Sequence, residues 1–228
     1  MLGFFLRSPM AAHVLPFSVF IAGLMLISAI QTIPTESLWV KNPEYWIYPL
    51  QTFLCGALLF FYRRQYAIGN PRGMGLAILA GIMVLGIWIA PQSLGFAEPR
   101  LAGFDPNVFS SSPTLYWFTI VARFLRLVVV VPLVEEIFWR GFLMRVIIRE
   151  DFTNVAFGTF QWGSFLVVAV CFMLVHDTAD WPAAFLCGIA YNTLAVRTKN
   201  LTACIIAHAL TNLGLGLYII ATKQWGFW

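Results

Sequence analysis

Charge is what this sequence has least of. Charged residues make up 11% of the chain, hydrophobic residues make up 60%, and the mean hydropathy is +0.81. A soluble domain usually devotes about 25% of its residues to charge, so this chain has too few polar groups to cover a water-facing surface. Apolar segments of roughly 20 residues can instead cross a bilayer. The composition therefore predicts an all-α, polytopic membrane bundle of seven, or alternatively eight, transmembrane helices in one domain over residues 1–228.

Cysteine patterns are also missing. The four cysteines, Cys55, Cys171, Cys187 and Cys204, lie inside apolar runs and form no CxxC spacing. This pattern argues against a disulfide framework, gives no indication of a cysteine metal site, and favours thiols that pack as small hydrophobic groups. No internal repeat, low-complexity tract or linker marks a second domain.

The net charge of +4 does not indicate a nucleic-acid partner. The basic residues stand singly or in pairs at the ends of apolar runs, which is typical of membrane orientation. At the start of the chain, Arg7 is followed after a short gap by an apolar stretch long enough to span. A signal peptide would have a shorter apolar region and a small-residue cleavage site, so we predict a retained first helix.

Seven apolar segments are predicted to be membrane helices. They cover residues 14–33, 46–62, 74–90, 114–134 continuing towards 149, 159–176, 182–197 and 201–221. The fourth segment is too long for one straight span at 1.5 Å per residue. It could be strongly tilted, broken near Pro132 or extended along the membrane surface, and the sequence leaves these alternatives open.

The basic residues predict the orientation of the chain. With a cytoplasmic N-terminus, eight of them fall on the cytoplasmic side and three on the other side. The eight are Arg7, Arg63, Arg64, Arg72, Arg145, Arg149, Arg197 and Lys199, and the three are Lys41, Arg100 and Lys223. The positive-inside rule therefore predicts that the N-terminus is cytoplasmic.

Two carboxylates stand apart from the other acidic residues. Glu135 and Glu136 lie within the strongly apolar run LVVVVPLVEEIFWRGFL. An acidic residue at membrane depth costs roughly 2.5 kcal/mol or more, so it is a functional candidate by default. Arg140 is four residues after Glu136 and on the same helical face, which predicts a structural ion pair for Glu136. Glu135 points about 100° away and has no such partner in its own segment.

The histidines supply further candidates. His13 begins the first span and is predicted to be interfacial, whereas His176 ends the fifth span and His208 lies inside the seventh. A lone histidine on an apolar helix is usually a packing residue. Asn212 follows His208 by four residues and shares its helical face. Desolvated imidazole and amide groups need polar partners, and an inward-facing cluster with Glu135 would supply them.

Such a cluster predicts peptide hydrolysis without a covalent intermediate. A glutamate in a low-dielectric site can act as a base near neutral pH, so Glu135 and His176 could activate a water. His208 and Asn212 are suitable donors to the oxyanion, a role worth about 3–4 kcal/mol per donor. No serine or cysteine lies in these motifs at a spacing that suggests a histidine-partnered nucleophile.

Three motifs together resemble those of a known family. EExxxR runs from Glu135 to Arg140, FxxxH from Phe172 to His176 and HxxxN from His208 to Asn212. In this order the motifs are similar to those of the type II CAAX prenyl protease and bacteriocin-processing family, also called CPBP or Abi. The resemblance covers about residues 114–221.

The resemblance implies a helical intramembrane protease that acts on a membrane-anchored protein or peptide and uses no cofactor. It implies that Glu135 and His176 activate water, that His208 and Asn212 form the oxyanion site, and that Glu136 and Arg140 support them. The segment HDTADWPAAFLCGIAYNTLAVRTKNLT and the final WGFW look like a bacterial subgroup that accompanies exosortase and PEP-CTERM sorting. That setting implies a bacterial inner membrane and sorting components as partners.

Two alternatives stay open at this point. Glu135, His176 and His208 could be zinc ligands, since two histidines and a glutamate occur as a catalytic zinc set, although no HExxH accompanies them. The chain could also be a non-enzymatic scaffold, immunity or sorting partner, or a proton relay. A difficulty concerns depth, because His176 lies near the outer end of its span and His208 near the inner start of its own. At 1.5 Å per residue these depths differ by more than about 10 Å unless a helix is tilted or short.

Overall fold

The structure is a computed structural model that describes residues 8–228, and within this range it contains helices and no strand. The all-helical prediction is therefore confirmed for this part of the chain. The prediction about Arg7 lies outside the described residues. Seven main helices, α1 to α7, are joined by loops and short helical turns within this range.

The bounds of the seven helices agree with the predicted apolar segments to within a few residues, and the largest difference is at the start of the first helix, which begins at Pro9 instead of residue 14. The helices are α1 Pro9–Gln31, α2 Glu44–Tyr62, α3 Met74–Ser93, α4 Pro113–Val146, α5 Trp162–Leu174, α6 Trp181–Thr198 and α7 Leu201–Thr222. Helix α5 has 13 residues, which makes it shorter than the predicted segment 159–176.

Among residues 8–228, four helices, α1, α3, α4 and α7, are long and apolar enough to cross a membrane. Many of their large apolar side chains face outwards; Met25 is 67% exposed and Leu79 is 61% exposed. Exposed apolar surface on this scale is typical of a surface covered by lipid. The helices support an integral membrane protein, while the count of seven or eight spans stays a prediction.

Helix α4 is continuous, so it is not broken near Pro132. Its 34 residues include two π-helical turns, Arg126–Val130 and Trp139–Leu143. At 1.5 Å per residue the helix is about 51 Å long, well above the roughly 30 Å of a bilayer core. Proline lacks the N–H of a regular helical hydrogen bond, and a wide π-turn directly before Pro132 accommodates this loss.

Close helix packing holds the inner helices around the middle of α4. At Gly81 of α3 an added Cβ would lie 2.8 Å from the carbonyl oxygen of Ala207 in α7. The Thr211 hydroxyl donates to the Gly81 carbonyl oxygen at 2.8 Å, so the same pair of helices is also linked by a hydrogen bond. At Gly188 of α6 an added Cβ would lie 3.0 Å from Cα of Ala169 in α5. Glycine is required at both places because a side chain would separate the helices.

Candidate active site

One cavity of about 240 Å³ is lined by side chains from all of the helices α1 to α7. Its lining includes Glu135 from α4, His176 from the turn after α5, and His208 and Asn212 from α7. The structure thus brings together the four side chains predicted to be catalytic. The remaining wall is largely apolar and aromatic, as is usual for a binding cavity. Whether these residues act in catalysis stays a prediction.

Glu136 and Arg140 form the buried support behind the cavity. Glu136 is 0% exposed and Arg140 is 1% exposed, and Arg140 Nη1 lies 3.0 Å from Glu136 Oε1. Arg140 also donates from Nε to Asn192 Oδ1 at 3.0 Å and from Nη2 to the Gly188 carbonyl oxygen. The ion pair expected from the four-residue spacing is present, and it also ties α4 to α6.

His208 is oriented by the same carboxylate. Its Nδ1 lies 2.9 Å from Glu136 Oε1, so Nδ1 carries a proton and donates it in a hydrogen bond to this carboxylate. The Tyr191 ring lies 5.5 Å from the His208 ring and restricts its rotation. Glu136 therefore acts on the cavity indirectly, through the orientation of His208.

The tautomer of His176 follows from its hydrogen bond. Nδ1 lies 2.7 Å from the Phe172 carbonyl oxygen. A carbonyl oxygen only accepts, so Nδ1 must carry the proton, and Nε2 of the neutral ring is an acceptor. The rings of Phe172 and Trp88 pack against the imidazole at 4.7 and 5.6 Å between centroids. His176 is thus held with a free acceptor nitrogen in the wall of the cavity.

Glu135 has an unsatisfied oxygen. The residue is 7% exposed, and its Oε2 is buried without a hydrogen-bond partner in the protein. A buried polar atom without a partner is costly, so such an atom in a cavity wall commonly faces a ligand or a water. The Oε2 of Glu136 is likewise buried without a partner, but its Oε1 pairs with Arg140 and His208, so Glu136 is held in place by two side chains.

Asn212 links α7 to the π-turn of α4. In a π-helix the carbonyl of residue i accepts from residue i+5, and Val131 N–H accordingly donates to the Arg126 carbonyl. The next position is Pro132, which has no N–H, so the Leu127 carbonyl loses its helical partner. Asn212 Nδ2 replaces that partner at 2.8 Å. The amide retains a second hydrogen for another acceptor.

Sequence reasoning missed two buried arginines on α4. Arg123 is 3% exposed and Arg126 is 5% exposed, and Arg126 lines the cavity with Glu135. Their signal was present in the sequence, because arginine inside an apolar segment is rare and usually functional.

The short helix α5 explains how His176 and His208 can lie close together although the predicted spans put them at different depths. This helix ends at Leu174, and Val175 and His176 lie in the turn that follows it. A helix of 13 residues is about 20 Å long, less than the thickness of a bilayer core. A short fifth helix was one of the alternatives considered, and it lets His176 and His208 line the same cavity.

The zinc alternative finds no support in the geometry. Over residues 8–228, no group of three or more His, Cys, Asp or Glu side chains is arranged to hold a metal ion. The His208 Nδ1 is directed to Glu136, and the His176 Nδ1 to a backbone carbonyl.

Comparison with known proteins supports a protease. Residues 117–214 match the family model described as type II CAAX prenyl endopeptidase Rce1-like. The matched segment contains all three motifs and runs from α4 into α7. Searches of curated proteins and of solved structures found no match. The prediction of an enzyme is confirmed by the family match, which together with the apolar helices supports a membrane hydrolase of the CAAX protease type.

Proposed function

We propose that the chain is an intramembrane endopeptidase that cleaves a membrane-anchored protein or peptide with a water activated by Glu135 and His176. The observation that carries this proposal is the common cavity, which receives Glu135, His176, His208 and Asn212 from three separate parts of the chain. Groups of complementary acid–base and donor character that converge on one pocket are the usual mark of an active site.

The proposed chemistry begins with a water between Glu135 and His176. The water donates one hydrogen bond to His176 Nε2, the acceptor left free by the Phe172 contact. Its second proton passes to Glu135 as the water oxygen attacks the peptide carbonyl. Glu135 then returns this proton to the leaving amine, so the carboxylate is regenerated when the C–N bond breaks.

The developing oxyanion needs donors on the opposite side of the carbonyl. Asn212 can offer the amide hydrogen not used by Leu127, and protonated His208 can offer Nε2–H, since Nδ1 faces Glu136. Donors fixed in advance stabilise the transition state because they need no reorganisation during the reaction. Glu136 and Arg140 are positioning residues in this scheme.

The topology and cellular setting that we propose follow from the composition, the positive-inside rule and the family resemblance. We place the chain in a membrane as one domain, with seven or eight spans, a cytoplasmic N-terminus and its catalytic region at about residues 114–221. The C-terminal sequence resembles a bacterial subgroup that accompanies exosortase and PEP-CTERM sorting. We therefore propose a bacterial inner membrane as the location and exosortase and PEP-CTERM components as partners. Fusion of reporter domains to each loop tests the spans and their orientation.

Substitution of Glu135 tests the proposal. Glu135→Gln keeps the volume of the side chain but removes the base, so cleavage should fall by about 10²- to 10⁴-fold. The measurement uses the full chain in lipid nanodiscs and a pool of fluorescence-quenched peptides with randomised apolar positions. The matched control is Glu150→Gln, because Glu150 is exposed beyond the end of α4.

Glu150→Gln should cleave the pool as the parent protein does. Folding of each variant is checked by its thermal unfolding in the same nanodiscs. A folded Glu135→Gln protein with undiminished cleavage would exclude Glu135 as the base.

A further inference from the structure

Arg126 is the buried cation in the cavity wall, and its surroundings differ from those of Arg140. Arg126 donates from Nε to Gln51 Oε1 at 2.9 Å, and Gln51 is neutral. Within the described part of the chain, no carboxylate lies within 4.0 Å of its guanidinium and neither Nη group has a hydrogen-bond acceptor. Arg140, by contrast, has a carboxylate, an amide and a carbonyl as partners.

Burial makes this arrangement costly. Moving a cation out of water is unfavourable unless nearby groups compensate for the lost hydration. The rings of Tyr48 and Phe20 lie 4.1 and 5.0 Å from the Arg126 guanidinium and recover part of this cost. Cation–π contacts offset only part of the cost of burying a cation, which leaves a preference for an anion. A site that keeps such a charge free is suited to bind an anionic ligand.

The π-turn places this charge beside the proposed hydrolytic group. Arg126 and Glu135 are nine residues apart, about two and a half turns of regular α-helix, which would put them on opposite faces. The wide turn Arg126–Val130 changes the phase between them, and both side chains line the cavity. An anion held by Arg126 would therefore lie in the same cavity as the water activated by Glu135.

We propose that Arg126 is a specificity residue that binds a carboxylate of the substrate peptide. The proposal rests on the protease function proposed above. Arginine and carboxylate form paired, charge-assisted hydrogen bonds through two N–H groups, and both Nη groups of Arg126 are free for this contact. The carboxylate is either the free C-terminus of the peptide or an acidic side chain near the cleaved bond. Gln51 holds the guanidinium in place, because its Nε2 donates to the Phe20 carbonyl while its Oε1 accepts from Arg126.

A simpler role for Arg126 is to balance the charge of Glu135, which attracts it electrostatically. The two roles predict different results. A balancing charge would act on every substrate equally, whereas a binding residue discriminates between substrates with and without a carboxylate. The test must therefore compare substrates and must keep Glu135 in place.

Binding of three peptide pools separates these roles. All pools carry an N-terminal fluorophore and randomised apolar positions; one has a free C-terminal carboxylate, one a C-terminal amide, and one the amide with a single internal Asp. Fluorescence polarisation measures their Kd values on the full chain in nanodiscs, in a His176→Ala background that retains Glu135. We expect either the free-acid pool or the Asp pool to bind at least about tenfold more tightly than the plain amide pool. A charge-assisted hydrogen bond away from water has an effect of this size.

Three variants assign the difference to Arg126. Arg126→Gln should abolish the preference between the pools, and Arg126→Lys should retain part of it. Gln51→Glu should also abolish the preference, because the new carboxylate would occupy the guanidinium; this variant serves if Arg126→Gln does not fold. The matched control is Arg123→Gln, since Arg123 is buried on the same helix but does not line the cavity.

The pools also identify the source of the carboxylate. A preference for the free-acid pool indicates the C-terminus, and a preference for the Asp pool indicates a side chain. Equal binding of all pools, or a preference that persists in Arg126→Gln, would overturn the inference. Failure of the proposed function is a separate result, because it is read from cleavage by Glu135→Gln and not from these binding constants.

Discussion

The buried arginines in the two halves of α4 differ in how completely their guanidinium groups are hydrogen-bonded. In the C-terminal half, Arg140 is surrounded by Glu136, Asn192 and Gly188. In the N-terminal half, Arg123 has aromatic rings around it, with Tyr48 at 4.4 Å, but its Nε and Nη1 have no hydrogen-bond partner. Both halves lie in apolar sequence, where each charge is costly.

This difference in hydrogen-bond partners distinguishes buried charges that hold helices together from buried charges that can bind a ligand. A fully paired guanidinium fixes the orientation of its neighbours, as Arg140 and Glu136 fix His208. A guanidinium with unused N–H donors can bind an anion, as proposed for Arg126. The number of hydrogen-bond partners is thus more informative about role than the burial of the charge.

The largest expected effect is in the paired half. Arg140→Met leaves Glu136 buried without its cation, and removal of one partner of a buried ion pair costs about 3–5 kcal/mol of unfolding free energy. Denaturant unfolding in detergent micelles measures it. Lys41→Met is the control, because its pair with Glu36 is exposed and worth about 0–1 kcal/mol. Equal losses in the two variants would contradict a structural role for the Arg140 pair.

A smaller effect is expected between the two halves, at the π-turn. Asn212→Ala removes the donor to the Leu127 carbonyl, which should cost about 1–3 kcal/mol of unfolding free energy. Asn42→Ala is the matched control, since Asn42 makes the same kind of bond to the Leu38 carbonyl in an exposed turn. Unfolding curves of the two variants give the comparison.

A double substitution sharpens this prediction. Pro132→Ala restores a backbone N–H that can reach the Leu127 carbonyl, so Asn212→Ala should cost less in that background. A double-mutant cycle on the unfolding free energies measures the coupling, expected at about 0.5–3 kcal/mol for groups that share a partner. Strict additivity would mean that Asn212 does not replace the missing proline donor.

The smallest effect is expected in the unpaired half. Arg123→Met removes cation–π contacts worth about 0.5–1 kcal/mol each, but it also removes two nitrogens buried without acceptors. These contributions oppose each other, so the unfolding free energy should change by less than about 1 kcal/mol. A loss as large as that of Arg140→Met, measured under the same conditions, would remove the distinction between the two halves.

Much of the fold followed from periodicity and composition. The apolar segments of α1, α2, α3, α6 and α7 were predicted to within a few residues, because long apolar runs separated by polar turns leave few alternatives in a bilayer. The end of α5 was predicted too late, since Val175 and His176 continue an apolar run although the helix stops at Leu174. Hydropathy does not distinguish an apolar turn from an apolar helix.

For the site, local spacing was informative and long-range geometry was not. The four-residue spacing predicted the pairing of Glu136 with Arg140 and a common face for His208 and Asn212. It could not predict that Arg126 shares a cavity with Glu135, because a regular helix puts the two on opposite faces. The π-turn that changes this depends on Pro132 together with Asn212, a residue on another helix.

The sequence by itself determined that the chain is a helical membrane protein with an acid, two imidazoles and an amide in a protease-like order. These are properties of residue type, local spacing and the cost of charge in lipid. Only the tertiary structure decided which charges are paired and which line the cavity, because those contacts join residues far apart in the chain. The packing of α4 against α1, α2, α6 and α7 makes that choice.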